Sequence, residues 1–427
     1  MTRSASSQQR RIEVYAHWAG LPTPAFMGAL SANTVRGKES FAFEYQHEWL
    51  EKSQQLELDP HLGHYGGSQY APHDRPNFGI FLDSSPDRWG RLIMDRREAQ
   101  EARREDRAPR KLLESDYLLG VHDAHRTGAL RFKVNAAGAF LDDRSENAAP
   151  PMAALRELEA AAMGLDSDNA ERKREFSRWL RLLIAPGGSL GGARPKASVL
   201  DAAGRHWIAK FPSTRDTRDI GAWEMVVHTL AKAAGVDVAP ARARRFASRH
   251  HTFLTQRFDR APRNARIHFA SAMTLSGRLD SDNGSDGASY SDLAAILITG
   301  GAQPTADLEQ LWHRIVFNVC VSNIDDHMRN HGFLLQPGKG WRLAPAYDMN
   351  PEPDSDGLRL NIHGNDNALD LDLVREAAAL YRVKPAVRDT IITQVQTTVK
   401  QWRQAARKYR IPKTELDRMA SAFRLAE

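Results

Sequence analysis

Two adjacent carboxylates, a histidine and an asparagine crowd into "NIDDHMRN", residues 323–330. Asp325 and Asp326 can take up protons or hold a hard cation. His327 can shuttle a proton or ligate a metal, and the Asn330 amide oxygen is a neutral oxygen ligand. Downstream, "LAPAYDMNP" brings another carboxylate, Asp348. Upstream, Lys210 closes the run "HWIAKF", and Glu224 lies in "WEMVVHTLAKAAG". Earlier still, "GGSLGGARPK" (187–196) has so little side-chain bulk that its backbone N–H groups could approach a polyphosphate, with Arg194 and Lys196 as cations suited to phosphate oxygens.

Three chemistries compete for this set. The octamer alone reads as a polar turn, because Asp and Asn favour turns. Asp325, Asp326, His327, His331 and Asp348 could instead hold Zn²⁺ or Fe²⁺ in a hydrolase, but no H-E-x-x-H or comparable ligand spacing occurs. The third chemistry is phosphoryl transfer. Asp325 and Asn330 have the D-x-x-x-x-N spacing in which a carboxylate accepts a hydroxyl proton and an asparagine binds a metal ion. A strand lysine paired with a helix glutamate holds nucleotide phosphates in protein kinases, and a later aspartate binds Mg²⁺. Lys210, Glu224, Asp325, Asn330 and Asp348 occur in that order. The glycine stretch is neither a Walker A loop nor G-x-G-x-x-G, so the ordered set carries this reading and no single member does.

These side chains need elements to aim them. Residues 220–235 place Trp223, Val226, Val227, Leu230 and Ala231 on one helical face, with Gly235 at a C-cap. "ASVL", a "DAAG" turn and "HWIAKF" read as a strand pair, and "TFLTQRFDR" as a further strand. Residues 307–322 form an amphipathic helix leading into the octamer. "GFLLQ-PGKG-WRLAPAYD" reads as a hairpin leading out of it. Residues 186–195 hold four glycines and two prolines and cannot form a regular element. Residues 12–46 read as strands of a small sheet, and "NFGIFLDSSPDRWGRLIMDRREAQEARRE" as strand, turn and helix. Residues 141–152 read as a linker, 153–185 and 370–420 as helical.

The composition permits two or three soluble domains: 427 residues, 41% hydrophobic and 26% charged. The single cysteine, Cys320, rules out an internal disulfide and suits a reducing compartment. No stretch of 18 apolar residues and no secretory h-region occurs, so the expected location is the cytoplasm and no membrane partner is expected. The net charge of +6 is compatible with polyanionic partners, although basic and acidic residues are interleaved. The densest basic run, 96–111, reads as a solvated helical face of mixed charge.

The segments "SLGGARPKASV", "KFP", "WEMVVHTLAKAAG", "QRFDR", "NIDDHMRNHGFLL" and "LAPAYDMNP" together resemble the HipA family of serine/threonine-kinase-like toxins from type II toxin–antitoxin modules. "MGALSANTVRGKESFAFEY", "SSPDRWGRLIMDRRE" and "DYLLGVHDAHRTGALRF" are similar to that family's N-terminal domain, so the resemblance covers the chain from about residue 12. It implies an α+β, protein-kinase-like two-lobed fold with an N-terminal α/β domain and a helical C-terminal lobe. The expected division is a disordered tail over 1–11, an N-terminal domain over 12–145, a small lobe with the glycine loop over 146–258, and a helical large lobe over 259–427.

The resemblance further implies ATP and Mg²⁺ as cofactors. Asp325 would be the catalytic base, and Asn330 and Asp348 the metal ligands. Ser189, Gly191, Gly192, Ala193, Arg194, Lys196, Lys210 and Glu224 would line the phosphate end of the nucleotide site, with Gln256 and Phe258 at its adenine end and His327 beside the loop. Ser189 matches the serine that the family autophosphorylates, which displaces the glycine loop and self-limits the kinase. A phosphoserine there adds about −2 charge beside a loop meant for phosphates. The chain departs from the family at Gln256, where an acidic residue is found in the best-known member. "DMN" stands where kinases have DFG, and no H-R-D triplet precedes Asp325. The implied partners are a small helix-turn-helix DNA-binding antitoxin (HipB-like) and a protein substrate, with aminoacyl-tRNA synthetases among the family's substrates. DNA would be reached only through the antitoxin. The alternatives are a catalytically weak binding or corepressor protein and a small-molecule phosphotransferase. Within the octamer, Asp326 and His327 are expected to support the loop, and Asp325 to act.

Overall fold

The computed structural model describes residues 8–53, 57–145, 148–168, 170–183, 192, 194–354 and 356–427. The chain divides into two compact units. The first comprises Met1–Ile208 and Asp259–Ala270, the second Ala209–Phe258 and Ser271–Glu427. Helices and antiparallel sheets occur in both, which makes the chain α+β.

The first unit is built on a five-stranded sheet in the order β4-β3-β2-β1-β5: β1 Gln8–Ala16, β2 Ala25–Val35, β3 Lys38–Tyr45, β4 Gln69–Tyr70 and β5 Leu130–Lys133. The pairing is antiparallel throughout. In β1, Ile12, Val14 and Ala16 alternate inward and are wholly buried, the period-2 pattern of a half-buried strand. The strand begins at Gln8, inside the segment read as a disordered tail. Polar residues 8–11 continue the ladder opposite Thr34 to Ser31, because backbone hydrogen bonds do not depend on side-chain polarity. The apolar run "GIFLD", read as a strand, is the short helix Gly79–Asp83. Phe78 and Phe81 are buried on every side, and Phe81 meets the Phe43 and Phe132 rings at 5.5 and 6.1 Å, so neither period shows in the sequence.

In the second unit, Pro304–Cys320 is a helix packed on all sides over its C-terminal half. Its residues from Leu311 to Cys320 are all buried, polar ones included. Burial pushes the Cys320 thiol up to about 12, so it packs as a small apolar group. The helix Ile220–Ala234 starts at Asp219, whose carboxylate accepts from the Ala222 N–H at 3.1 Å. It ends at Gly235 in the left-handed region, φ 93°, where the Cβ of another residue would be strained. Its Trp223 packs on Trp402 and Phe423, which stack on one another with centroids 4.5 Å apart. The hairpin Gly332–Gln336 and Gly340–Leu343 pairs antiparallel. Among the described residues no helix is long and apolar enough to cross a membrane.

Candidate active site

Lys210 ends the strand His206–Lys210 and lies in the second unit. Its ammonium is 2.6 Å from Glu224 Oε1 and 2.8 Å from Asp348 Oδ1. Burial alone would lower the lysine's pKa. The charges of Asp348 and Glu224 overturn this and hold it well above the ordinary range, so the group is a permanent cation. Asp348 has φ 58°, a left-handed conformation that aspartate tolerates better than most residues, and Asn350 Nδ2 donates to its Oδ1 at 3.2 Å.

The octamer follows the packed helix. Ser322 turns the chain with φ 48°, and the two aspartates then part company. Asp326 is buried. Its Oδ2 accepts from the Tyr290 hydroxyl, from Asn318 Nδ2 at 2.7 Å and from His331 Nε2 at 2.7 Å. Arg314 can only donate to His331 Nδ1, 3.3 Å away, which leaves the imidazole proton on Nε2, facing Asp326. Burial, then the Asp326 charge, raises the Tyr290 pKa well above its ordinary value and keeps the phenol a donor. A line of amides carries this anchor onward. Asn323 Nδ2 donates to Asn318 Oδ1 at 3.1 Å, and the Asn350 N–H donates to Asn323 Oδ1 at 3.0 Å. Asn350 is also the residue whose side chain donates to Asp348, so this line of hydrogen bonds, which passes through the Asn350 main chain, ties buried Asp326 to half-buried Asp348.

Asp325 is exposed. Partial desolvation of its carboxylate, together with the Asp348 charge, raises its pKa against the pull of His327 and Arg359. Its carbonyl accepts from Asn330 Nδ2 at 2.9 Å, which orients the Asn330 amide. The Asn330 and Asn350 Oδ1 atoms are buried and accept no hydrogen bond from the protein. A buried, unpartnered amide oxygen near an aspartate is the donor type that a hard cation takes, so Asn330 and Asp348 fit Mg²⁺. His327 Nδ1 accepts from the Arg329 N–H at 3.3 Å, which folds the loop back on itself. The Phe258 ring meets the Tyr347 ring at 5.6 Å, and the Tyr347 hydroxyl donates to Arg329 O at 2.7 Å. Gln256 ends the strand Thr252–Gln256, its N–H bonded to Pro240 O.

Lys210, Glu224 and Asp348 are thus in direct contact. Asp325 senses Asp348, and Asn330 touches Asp325. The zinc or iron alternative finds no support in the geometry. Asp326 and His331 are turned to each other, and among the described residues no three His, Cys, Asp or Glu are grouped to hold a metal. Ser189, Gly191 and Ala193 lie outside the described residues. Gly192 is exposed with φ 92°, and Arg194 is half-buried. Lys196 is buried in the first unit, where its ammonium meets Asp87 Oδ2 at 2.8 Å and Gly192 O at 3.1 Å. Asp87 is also the N-cap of the helix Arg88–Arg104, and Trp89 Nε1 donates to Lys196 O at 3.0 Å. The cation offered to phosphates in the sequence therefore fastens the end of the glycine stretch. The residues missed in the sequence are Tyr290, Asn318, Asn323, Asn350 and Asp87. Only Asn350, two residues past Asp348, carried a local signal.

Residues 188–402, half of the chain, match the family model described as the HipA-like C-terminal domain. The protein named "Putative kinase Y4mE" of Sinorhizobium fredii is 32% identical over 150 residues, 33% of this chain and 33% of that protein. A "Putative kinase" of Haemophilus influenzae is 25% identical over 214 residues, 44% of this chain and 62% of that one. These alignments therefore span between a third and about three-fifths of the relatives' lengths. A chain from the Shewanella oneidensis MR-1 toxin–antitoxin complex of HipA, HipB and operator DNA superposes with a TM-score of 0.66 at 17% identity, over 97% of this chain and 95% of its own. At that identity the likeness speaks for the fold, and the fold is that of HipA. With the C-terminal domain of the family over half its length and the HipA architecture nearly end to end, the chain belongs to the HipA-like family.

Proposed function

We propose that the chain is an ATP-dependent serine/threonine kinase of the toxin type, moving the γ-phosphoryl group of ATP to a protein hydroxyl. One observation carries the reading: the Lys210 ammonium is held between Glu224 and Asp348 while the Asn330 oxygen beside Asp325 has no protein partner. Glu224 aims the lysine, which donates to the nucleotide's phosphate oxygens. Asn330 and Asp348 would hold Mg²⁺, which when bound neutralises phosphate charge. Asp325 orients the incoming hydroxyl and takes its proton as the oxygen–phosphorus bond forms and the bond to ADP breaks. Asp326, out of reach of solvent, keeps the loop in place. Protein targets of the aminoacyl-tRNA synthetase class and self-limitation at Ser189 rest on the resemblance. So does partnership with a HipB-like DNA-binding antitoxin, a reading further supported by the Shewanella relative of the same fold, which is bound to HipB and operator DNA.

Incubation with Mg²⁺ and ATP, followed by phosphopeptide mass spectrometry, tests this. The expected result is phosphate on the chain, at Ser189, that disappears in Asp325→Ala and on chelation of the metal. A chain that binds no nucleotide and gains no phosphate on any residue would be a binding or corepressor protein instead.

A further inference from the structure

A buried polar atom has given up its hydrogen bond to water, so one without a protein partner calls for another. The asparagine amides that run from Asp326 to Asp348 differ in this respect. Asn318 Oδ1 accepts from Asn323 Nδ2 at 3.1 Å, and Asn323 Oδ1 accepts from the Asn350 N–H at 3.0 Å. The line stops at Asn350. Its Nδ2 donates to Asp348 Oδ1 at 3.2 Å, but its Oδ1 is buried and accepts from no group among the described residues. Among the described residues of the second unit, one other buried side-chain amide oxygen is in this state. It is Asn330 Oδ1, on the amide whose nitrogen donates to the Asp325 carbonyl at 2.9 Å. The two unmet oxygens therefore belong to the amides bonded to Asp325 and to Asp348.

The Asn350 amide cannot sit the other way round. Turned over, it would set its oxygen 3.2 Å from a carboxylate oxygen, lone pair against lone pair. Donation from Nδ2 to a carboxylate also polarises the amide and leaves Oδ1 more negative. An asparagine that only held Asp348 would need its nitrogen alone and would leave this oxygen buried for nothing. A hard cation takes such oxygens, and an amide adds a ligand without adding charge. That suits a place where the Lys210 ammonium, 2.8 Å from Asp348 Oδ1, already neutralises part of the carboxylate. We propose that Asn350 is a third protein ligand of the divalent cation, supplying Oδ1 beside Asn330 and Asp348. The presence of that cation rests on the function proposed above; the choice of Asn350 rests on its unmet oxygen. Asn323, which accepts from the Asn350 main chain, is then a positioning residue for the ligand.

Calorimetric binding of a non-hydrolysable ATP analogue to the full chain, with Mg²⁺ and with a chelator, reads the cation's contribution without turnover. Mg²⁺ should tighten binding to the parent, and in Asn350→Ala that gain should shrink by about tenfold. Asn350→Asp separates a ligand from a mere holder of Asp348. A carboxylate keeps an oxygen for the cation but cannot donate to Asp348, so the gain should be kept if Oδ1 is a ligand and lost if only Nδ2 matters. Mn²⁺ binding to the chain without nucleotide, followed by electron paramagnetic resonance of the free ion, should weaken in Asn350→Ala and not in Asn350→Asp. Equal gains in the parent and Asn350→Ala would overturn the proposal, and so would equal losses in Asn350→Ala and Asn350→Asp. Melting temperatures are taken on the same samples, and if Asn350→Ala does not fold, Asn350→Ser, whose hydroxyl falls short of the amide oxygen, replaces it. Phosphate incorporation is scored separately. A chain that transfers phosphate while its Mg²⁺ gain ignores Asn350 refutes this ligand alone. One that binds Mn²⁺ through Asn350 but gains no phosphate on any residue refutes the kinase reading alone.

Discussion

Asp325 and Asp326 are the same side chain one residue apart, and their surroundings give them opposite work. Asp325→Asn should lower phosphoryl transfer by about 10²- to 10⁴-fold with little change in melting temperature. Asp326→Asn should do the reverse, costing less activity than Asp325→Asn but about 1–3 kcal/mol of stability, because Tyr290, Asn318 and His331 all converge on one buried oxygen. Steady-state kinetics and urea unfolding on both variants check this, and equal losses of activity would remove the distinction. Lys210→Met leaves Glu224 and Asp348 without their shared cation. It should weaken ATP binding in calorimetry and destabilise the second unit by about 3 kcal/mol. The sequence made Lys210, Glu224, Asp325, Asn330 and Asp348 legible through their order. It hid Tyr290 and Asn318, because their tie to Asp326 is a tertiary contact with no local period. Lys196 shows the opposite hazard: a cation after glycines invites a phosphate reading, and only folding reveals Asp87 against it.

At the level of elements, the helix Ile220–Ala234 sets where Glu224 can point. Its second residue is fixed by contact. A Cβ on Gly221 would lie 2.1 Å from the His251 carbonyl oxygen. Gly221→Ala must therefore shift the helix or the strand beside it, at a cost of about 1–3 kcal/mol. Because the shift would carry Glu224 away from Lys210, nucleotide affinity should fall along with the melting temperature. A fall in melting temperature alone would mean that the helix adjusts without moving Glu224. This helix was readable from end to end because its large apolar residues fall at helical spacing and it ends in glycine. Gly79–Asp83 was not, since a short segment buried all round displays neither the helical nor the strand period. The first strand was read too short for a related reason: its polar start is held by main-chain pairing that leaves no mark on composition.

Across the whole molecule, acid should act unevenly. His268, in the first unit, is buried against Trp18 and Gly128, and burial pushes its pKa down to about 4. As pH falls below about 6.5, the unfolded chain takes up a proton that the native imidazole refuses until about pH 4. Stability therefore drains across that window, by about 3 kcal/mol at its acid end. Urea titrations at pH 7 and pH 4.5 should show His268→Phe losing about 2–3 kcal/mol less than the parent over the same interval. An identical pH slope in the two would mean that His268 is not buried as a neutral group. The segment that carries His268 also returns Arg266 to within 3.1 Å of Asp123, so residues 259–270 complete a unit otherwise made from the chain's first 208 residues. The chain leaves the first unit after Ile208, spends 50 residues in the second, and comes back. For a nascent chain this imposes an order. The first unit cannot close until residue 270 has been synthesised, and by then the strand and helix bearing Lys210 and Glu224 already exist without the downstream half that supplies Asp348. Neither unit can be finished before the other has been started, and a ribosome stalled at residue 258 would display two incomplete units.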